Sequence, residues 1–293
     1  METSNINDRN IDYFSNRSLS RWKRFDEDQQ DGDYIETKAN GDRVYQFVVP
    51  NEIDVLYVQG VGGGGGGGGG ASGRGAERDP GGSGAGGNGC ICDGIFLVPI
   101  SPKDRIIVIL GHGGEEGHNA HGNDEFGGSG GSGGESTVSL ISSTKSVELF
   151  VFPNASGGQG GQFQRDDEPW FGGEPGNSRQ PISPTGYYYT IGGCGSKGGT
   201  RSSEPGQTAQ SPIGGKGGAA GDGYGGGGGG SSLLGSGGKG GNYGQWAGEY
   251  GMGQSGRFGS GGGGGAGGGP HTSDDGGKGG KGGLGYVWFY TRV

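Results

Sequence analysis

An all-β architecture is what this 293-residue sequence predicts: an antiparallel, jelly-roll-like sandwich with an inserted bundle of polyglycine-II helices. Three observations carry that expectation. Glycine supplies 84 residues, largely in runs, and residues 62–70 are nine consecutive glycines. The runs are entered and left through short β-branched and aromatic blocks, whereas a flexible linker is flanked by Ser, Pro or charge. Only 27% of the chain is hydrophobic, yet these residues cluster at strand length, and 9% of the chain is aromatic, a class that disordered segments avoid. With a mean hydropathy of −0.63, an ordinary core for this length is out of reach. Order in the glycine tracts must therefore come from backbone hydrogen bonds.

Strand signals recur from residue 43. Residues 43–49 end at the turn Pro50-Asn51, and 53–61 follow. Residues 95–100 end at a second turn, Ser101-Pro102-Lys103-Asp104, before 105–110. Residues 136–141 and 147–152 form a third pair, and 186–191 and 286–291 complete a set of about eight. Short strands paired mostly as hairpins fit a two-sheet sandwich. The last strand makes residues 192–284 an insertion closed by pairing within a sheet.

The inserted tracts carry a period of three. Residues 127–134 and 276–283 read Gly-Gly-X, and shorter pieces repeat the pattern around Gln159, Lys216 and Lys239. A polyproline-II-like helix has three residues per turn and no internal hydrogen bonds. Gly-Gly-X then places every side chain on one ridge and leaves two bare backbone ridges. Several such helices can pack side by side and exchange N–H and C=O groups, because glycine permits close approach. X is Ser, Lys or Gln, as befits a ridge facing solvent.

Residues 1–40 are of different composition, nearly free of glycine and mixed in charge, and predict an extended attachment arm that docks on a partner through Tyr13, Phe14, Trp22 and Phe25. The glycine-rich domain follows over 41–293. A net charge of −9 disfavours binding to a phosphate backbone. Neither a membrane span nor a signal peptide is expected. Three cysteines are too few for a disulfide scaffold; Cys194 pairs with Cys90 or Cys92, or all three remain thiols.

The segment Tyr45-Gln46-Phe47-Val48-Val49-Pro50, followed by residues 53–61 and the nine glycines, resembles the entry to the glycine-rich domain of phage tail-fibre proteins. Leu97-Val98-Pro99-Ile100-Ser101-Pro102, residues 106–114, residues 147–154 before Gly157-Gly158-Gln159, and the closing residues 282–290 continue the resemblance in order over about 43–293. The extracellular glycine-rich region of receptors of the anaplastic lymphoma kinase type is similar. The resemblance implies a tumour-necrosis-factor-like sandwich joined to polyglycine helices, a place in a virion, and trimeric assembly. Unlike those receptors, the sequence shows no membrane span and no kinase.

Catalysis is not expected. The glycine run lacks the Gly-Lys-Ser/Thr ending of a phosphate loop, no Gly-x-Ser-x-Gly motif occurs, and Asp166-Asp167 has no base partner. No cofactor is expected. His112, His118 and His121 are a weak metal candidate, since their spacing matches no known motif. Glu115, Glu116, Asp124 and Glu125 lack the order of a calcium loop. Trp170, Phe171, Trp246 and Tyr250 are candidates for a shallow glycan site, because aromatic faces stack on sugars while neighbouring polar groups bond hydroxyls. The competing reading makes the same rings a cap on the glycine bundle. The expected function is a virion protein, a fibre-tip adhesin for host-surface polysaccharide, with a purely structural decoration protein as runner-up. An extracellular signalling or ice-binding protein is a third class.

Overall fold

The computed structural model describes residues 19–50, 56–72, 86–87, 91–96, 104–121, 126–143, 146–161, 176, 189–191, 226–230, 235–242, 251–268 and 275–292. They form ten strands: β1 (Leu19–Phe25), β2 (Asp33–Thr37), β3 (Arg43–Val48), β4 (Leu56–Val61), β5 (Ile91–Phe96), β6 (Arg105–Leu110), β7 (Ser136–Ile141), β8 (Ser146–Phe152), β9 (Tyr189–Ile191) and β10 (Tyr286–Arg292). Two five-stranded sheets result, ordered β1-β10-β4-β5-β9 and β2-β3-β6-β7-β8, and every pairing is antiparallel. No α-helix occurs among the described residues.

Alternation explains how the sheets meet. In β6, Ile106, Val108 and Leu110 are buried while Ile107 and Ile109 are half-buried on the other face. Tyr45, Phe47, Val138, Leu140, Phe150 and Phe152 join them from the second sheet; Phe25, Val58, Val287 and Phe289 come from the first. Each fully buried large side chain contributes about 1.5–3 kcal/mol. The second sheet's outer face carries an apolar row. Val44, Ile109, Thr137 and Val151 stand opposite one another across four strands, with Ile107, Ile141 and Val48 nearby, and Val48 is 55% exposed.

The expected set of strands is present, except that β5 runs Ile91–Phe96 and so begins four residues before the expected 95–100, and two further corrections concern pairing and extent. The expected hairpins 43–49/53–61 and 95–100/105–110 are not formed: β3 does not pair with β4, nor β5 with β6. β3 and β6 lie in one sheet and β4 and β5 in the other, so each turn carries the chain across the sandwich. Only β7 and β8 form the expected hairpin. The second correction concerns residues 19–37, which supply an edge strand to each sheet and so belong to the sandwich, not to a separate arm. Phe25 is fully buried and packs on Phe47, so it is not free to dock a partner, and Trp22, half-buried, meets Phe47 edge-on at 5.4 Å. Alternation in β1 is obscured by a bulge between Arg21 and Lys23. The following turn is organised by Asp26, whose buried carboxylate accepts bonds from Trp288 Nε1 at 2.9 Å and from the amides of Asp28 and Gln29. Tyr13 and Phe14 lie outside the described residues.

Beyond the sheets, residues 62–71 continue β4 and are hydrogen-bonded to six neighbouring segments. The amides of Gly63, Gly66 and Gly69 donate to Gly134, Gly131 and Gly128; those of Gly64, Gly67 and Gly70 donate to Gly283, Gly280 and Gly277; and that of Gly65 donates to Gly87. The carbonyls of Gly63, Gly66 and Gly69 accept from Ala155, Gly158 and Gly161; those of Gly64, Gly67 and Gly70 accept from Gly114, Gly117 and Ala120; and those of Gly65, Gly68 and Ala71 accept from Gly262, Gly265 and Gly268. A three-residue period therefore governs both donors and acceptors. Residues 260–268 are bonded on all sides in the same way, to 62–71, Gly86, 226–230, 235–241, 251–257 and 276–283. Around these two interior segments the described residues form a closed circuit in which each segment bonds the next: 276–283, 111–120, 126–134, 155–161, 86–87, 226–230, 235–241 and 251–257.

Position in the bundle follows sequence. Residues 62–71 are glycine except for Ala71, residues 261–268 are glycine except for Ala266, and both stretches are buried throughout. A Cβ on any residue from 63 to 70 would come closer than 3.0 Å to a neighbouring segment's carbonyl oxygen. Gly-Gly-X tracts lie in the outer circuit, where Ser129, Ser132, Gln159, Lys278 and Lys281 are exposed. Gly67→Ala is accordingly expected to cost about 3 kcal/mol or more, the upper end of overpacking, because backbone on the far side has no rotamer with which to yield. Ser132→Ala on an outer ridge should stay within about 0.5 kcal/mol. Urea unfolding of both variants is the check; equal midpoints would mean that the interior is not close-packed.

Candidate functional site

Chain direction gives the bundle two unlike ends. Residues 62–71, 111–120 and 155–161 run outward from β4, β6 and β8, and 126–134 and 276–283 return to β7 and β10. At roughly 3.1–3.4 Å per residue, residues 62–71 reach about 30 Å beyond the sheets. Ser72, His121, Gly161, Asn242 and Gly268 thus end at the far tip, and Phe126, Gly251 and Asp275 start back from it. The candidate rings Trp246 and Tyr250 fall in the connection between Asn242 and Gly251, and Trp170 and Phe171 in the one that begins after Gly161. All four lie outside the described residues.

At the opposite end, carboxylates fasten the bundle to the sandwich. Glu27 Oε1 accepts from the amides of Phe258 and Leu284, both at 3.1 Å, while Glu27 Oε2 and Asp28 Oδ1 hold Arg257 at 3.0 and 2.6 Å. This clamp sits on the reversal between 251–257 and 260–268, where Phe258 (φ 50°) and Gly259 (φ 75°) are both left-handed. Asp42 Oδ1 accepts from the His112 amide at 3.0 Å and stands 2.7 Å from His112 Nδ1, and Asn40 bonds the other oxygen at 2.8 Å. Burial by itself would raise the Asp42 pKa. The hydrogen bonds from the His112 ring and amide and from Asn40, with the charge of His112, outweigh it and leave the carboxyl below its ordinary value of 3.8.

The histidines do not assemble a metal site. His112, His118 and His121 lie along one segment, where the nine residues from His112 to His121 advance about 28 Å, so the three cannot share one ion. His112 is held by Asp42, His121 Nδ1 is 3.0 Å from Asp275, and His118 is exposed beside Gly128. Among the described residues no three His, Cys, Asp or Glu side chains converge. Glu115 and Glu116 instead meet Lys281 at 2.6 and 3.5 Å, and the hydrogen bond to Glu115 raises the lysine pKa. Asp124 and Glu125 lie outside the described residues, as do Cys90 and Cys194; Cys92 sits in β5 opposite Thr190.

What the arrangement offers chemically is a rigid outer surface of polar ridges and a tip that gathers connections, both built on backbone that tolerates no change. Side-chain ridges a fixed distance apart were foreshadowed by the Gly-Gly-X period. The carboxylate clamps were not, since Glu27 and Asp42 act across more than 200 and exactly 70 positions of sequence respectively. In comparison with known proteins, the sequence pattern described as a glycine-rich domain matches residues 39–292. No curated protein matches the sequence.

Asp42 yields a pH test. Its folded-state pKa is depressed, so its contribution to stability is fully present above the unfolded value of 3.8 and is lost as pH falls through the lower, folded value. The stability gap between the wild type and Asp42→Asn, measured by urea unfolding, should be present at about pH 5 and close on acidification below about pH 4. A gap independent of pH would remove the carboxylate's role.

Proposed function

The chain belongs to the glycine-rich domain family, and from that premise we propose that it is a non-enzymatic virion protein, a phage tail-fibre or fibre-tip adhesin for host-surface polysaccharide. The observation that carries this reading is the placement of the connections. Those bearing Trp170, Phe171, Trp246 and Tyr250 begin at the end of the bundle farthest from the sheets. In this reading each bundle segment is a polyglycine-II helix, to which the three-residue period of lateral bonds is suited. A rigid backbone interior lets tip connections vary without disturbing the fold, which suits a surface that must follow its receptor. Aromatic rings there stack on sugar faces, and neighbouring polar groups bond hydroxyls.

Residues 1–18 attach the protein to the particle, and three copies assemble through the apolar outer face of the second sheet, centred on Ile107 and Ile109. A half-exposed face of β-branched residues is the kind of patch that marks a protein interface, and a fibre axis supplies threefold symmetry.

The test is binding of the purified chain, clustered on beads for avidity, to an array of microbial surface glycans, beside a Trp170→Ala/Trp246→Ala double variant. Selective binding by the wild type, lost in a variant with unchanged circular dichroism, is expected, with sedimentation equilibrium giving the mass of three chains. A folded wild type that binds no glycan would replace adhesion with a structural decoration role, and a monomeric mass would remove the trimer.

A further inference from the structure

The outer circuit places its ridges in register. The amide of Gly279 donates to Gly117 at 3.1 Å, that of Gly253 to Lys278 at 2.8 Å, and that of Gln254 to Lys239 at 2.8 Å. His118, Lys278, Gln254 and Lys239 therefore form one row across four adjacent segments; the first three are exposed and Lys239 is half-buried. Adjacent segments bonded through their backbones lie about 5 Å apart, so Lys278 and Lys239 stand about 10 Å apart with the Gln254 amide between them.

In the neighbouring rows the described cations are paired. Toward the sheets, Lys281 is held by Glu115 and Glu116, and Arg257 by Glu27 and Asp28. Toward the tip, Asp275 meets His121. Lys278 and Lys239 have no ion pair among the described residues. Among the described residues, a protein of net charge −9 thus carries one line of unpaired lysines between rows whose cations, Lys281, Arg257 and His121, are paired.

We infer that this row binds an acidic polysaccharide lying across the segments, with carboxylates on alternate sugars seated at Lys278 and Lys239 and the intervening neutral sugar bonded by Gln254. The inference rests on the adhesin reading and names the chemical class of its receptor. Phosphates on a nucleic-acid strand recur once per nucleotide, about 3.4 Å along a duplex axis, denser than cations about 10 Å apart. A chain alternating acidic and neutral sugars matches both the spacing and the amide.

The experiment measures binding of the full chain by biolayer interferometry to hyaluronan, neutral dextran and single-stranded DNA at low and moderate salt. Hyaluronan should bind in preference to both and weaken with salt. Lys239→Gln/Lys278→Gln should lose about tenfold or more in affinity, and Lys281→Gln, in a matched row, less than about twofold. Lys239→Arg/Lys278→Arg should restore binding, which a folding defect would not. Unchanged binding by the Gln double variant, an equal loss in Lys281→Gln, or tighter binding to DNA would each overturn the inference. Wild-type binding to neutral host glycans on the array but not to hyaluronan would overturn it and leave the adhesin reading standing. Failure to bind any polysaccharide would overturn both.

Discussion

The lateral N–H···O=C bond between glycine segments is the interaction on which the rest of this molecule depends. A hydrophobic core excludes water with side chains; here the interior of the bundle consists of backbone, and each buried amide or carbonyl must find a partner on another segment. Around residues 62–71 that requirement is met on six sides, with N···O distances of 2.8–3.2 Å. The bonds are short because nothing stands between the chains. Glycine is needed here for the space a Cβ would take, and among the described bundle residues its conformational freedom matters only at Gly259.

Two cores of opposite character share one framework. β4, β6 and β8 pass directly into outgoing segments, and incoming segments pass directly into β7 and β10. Strand pairing in the sandwich, set by side-chain alternation, hands a register to glycine tracts that have almost none of their own. The junction is pinned from the side-chain end as well. Buried Ser136 accepts the Gly111 amide at 3.0 Å and donates to the Val61 carbonyl at 2.9 Å, so one hydroxyl ties the exits of β4 and β6 to the start of β7. Glu27 and Asp42 extend the same function to the periphery. Stability of the sandwich and order in the bundle are consequently a single property.

The strands were legible wherever burial on one face produced alternation, as in β6 and β7. Exchange of partners between sheets was not, because the turn after β3 reads the same whether it folds the chain back within a sheet or carries it across. β1 hid behind a bulge and the charges of Arg21, Lys23 and Arg24, two of which are drawn over Trp288. β2 is exposed along its whole length, as an edge strand can be, and gave no pattern at all. Within the bundle, the Gly-Gly-X period foretold side-chain ridges on the periphery, but an all-glycine run did not assign a place, since residues 226–230 are all glycine and lie in the outer circuit. Which tract neighbours which was beyond reading, since identical repeats carry no address. Of the site, the ridge positions were visible from the period of three. The basic row was not, because it joins residues from four segments whose adjacency only the hydrogen bonds reveal.

Amide hydrogen exchange followed by mass spectrometry tests the central claim most directly. Peptides spanning residues 62–71 and 260–268 should exchange as slowly as those covering β6 and β7, and only through openings that also expose the sandwich. Exchange of these glycines at the rate of a free linker, with the strands still protected, would contradict a backbone core.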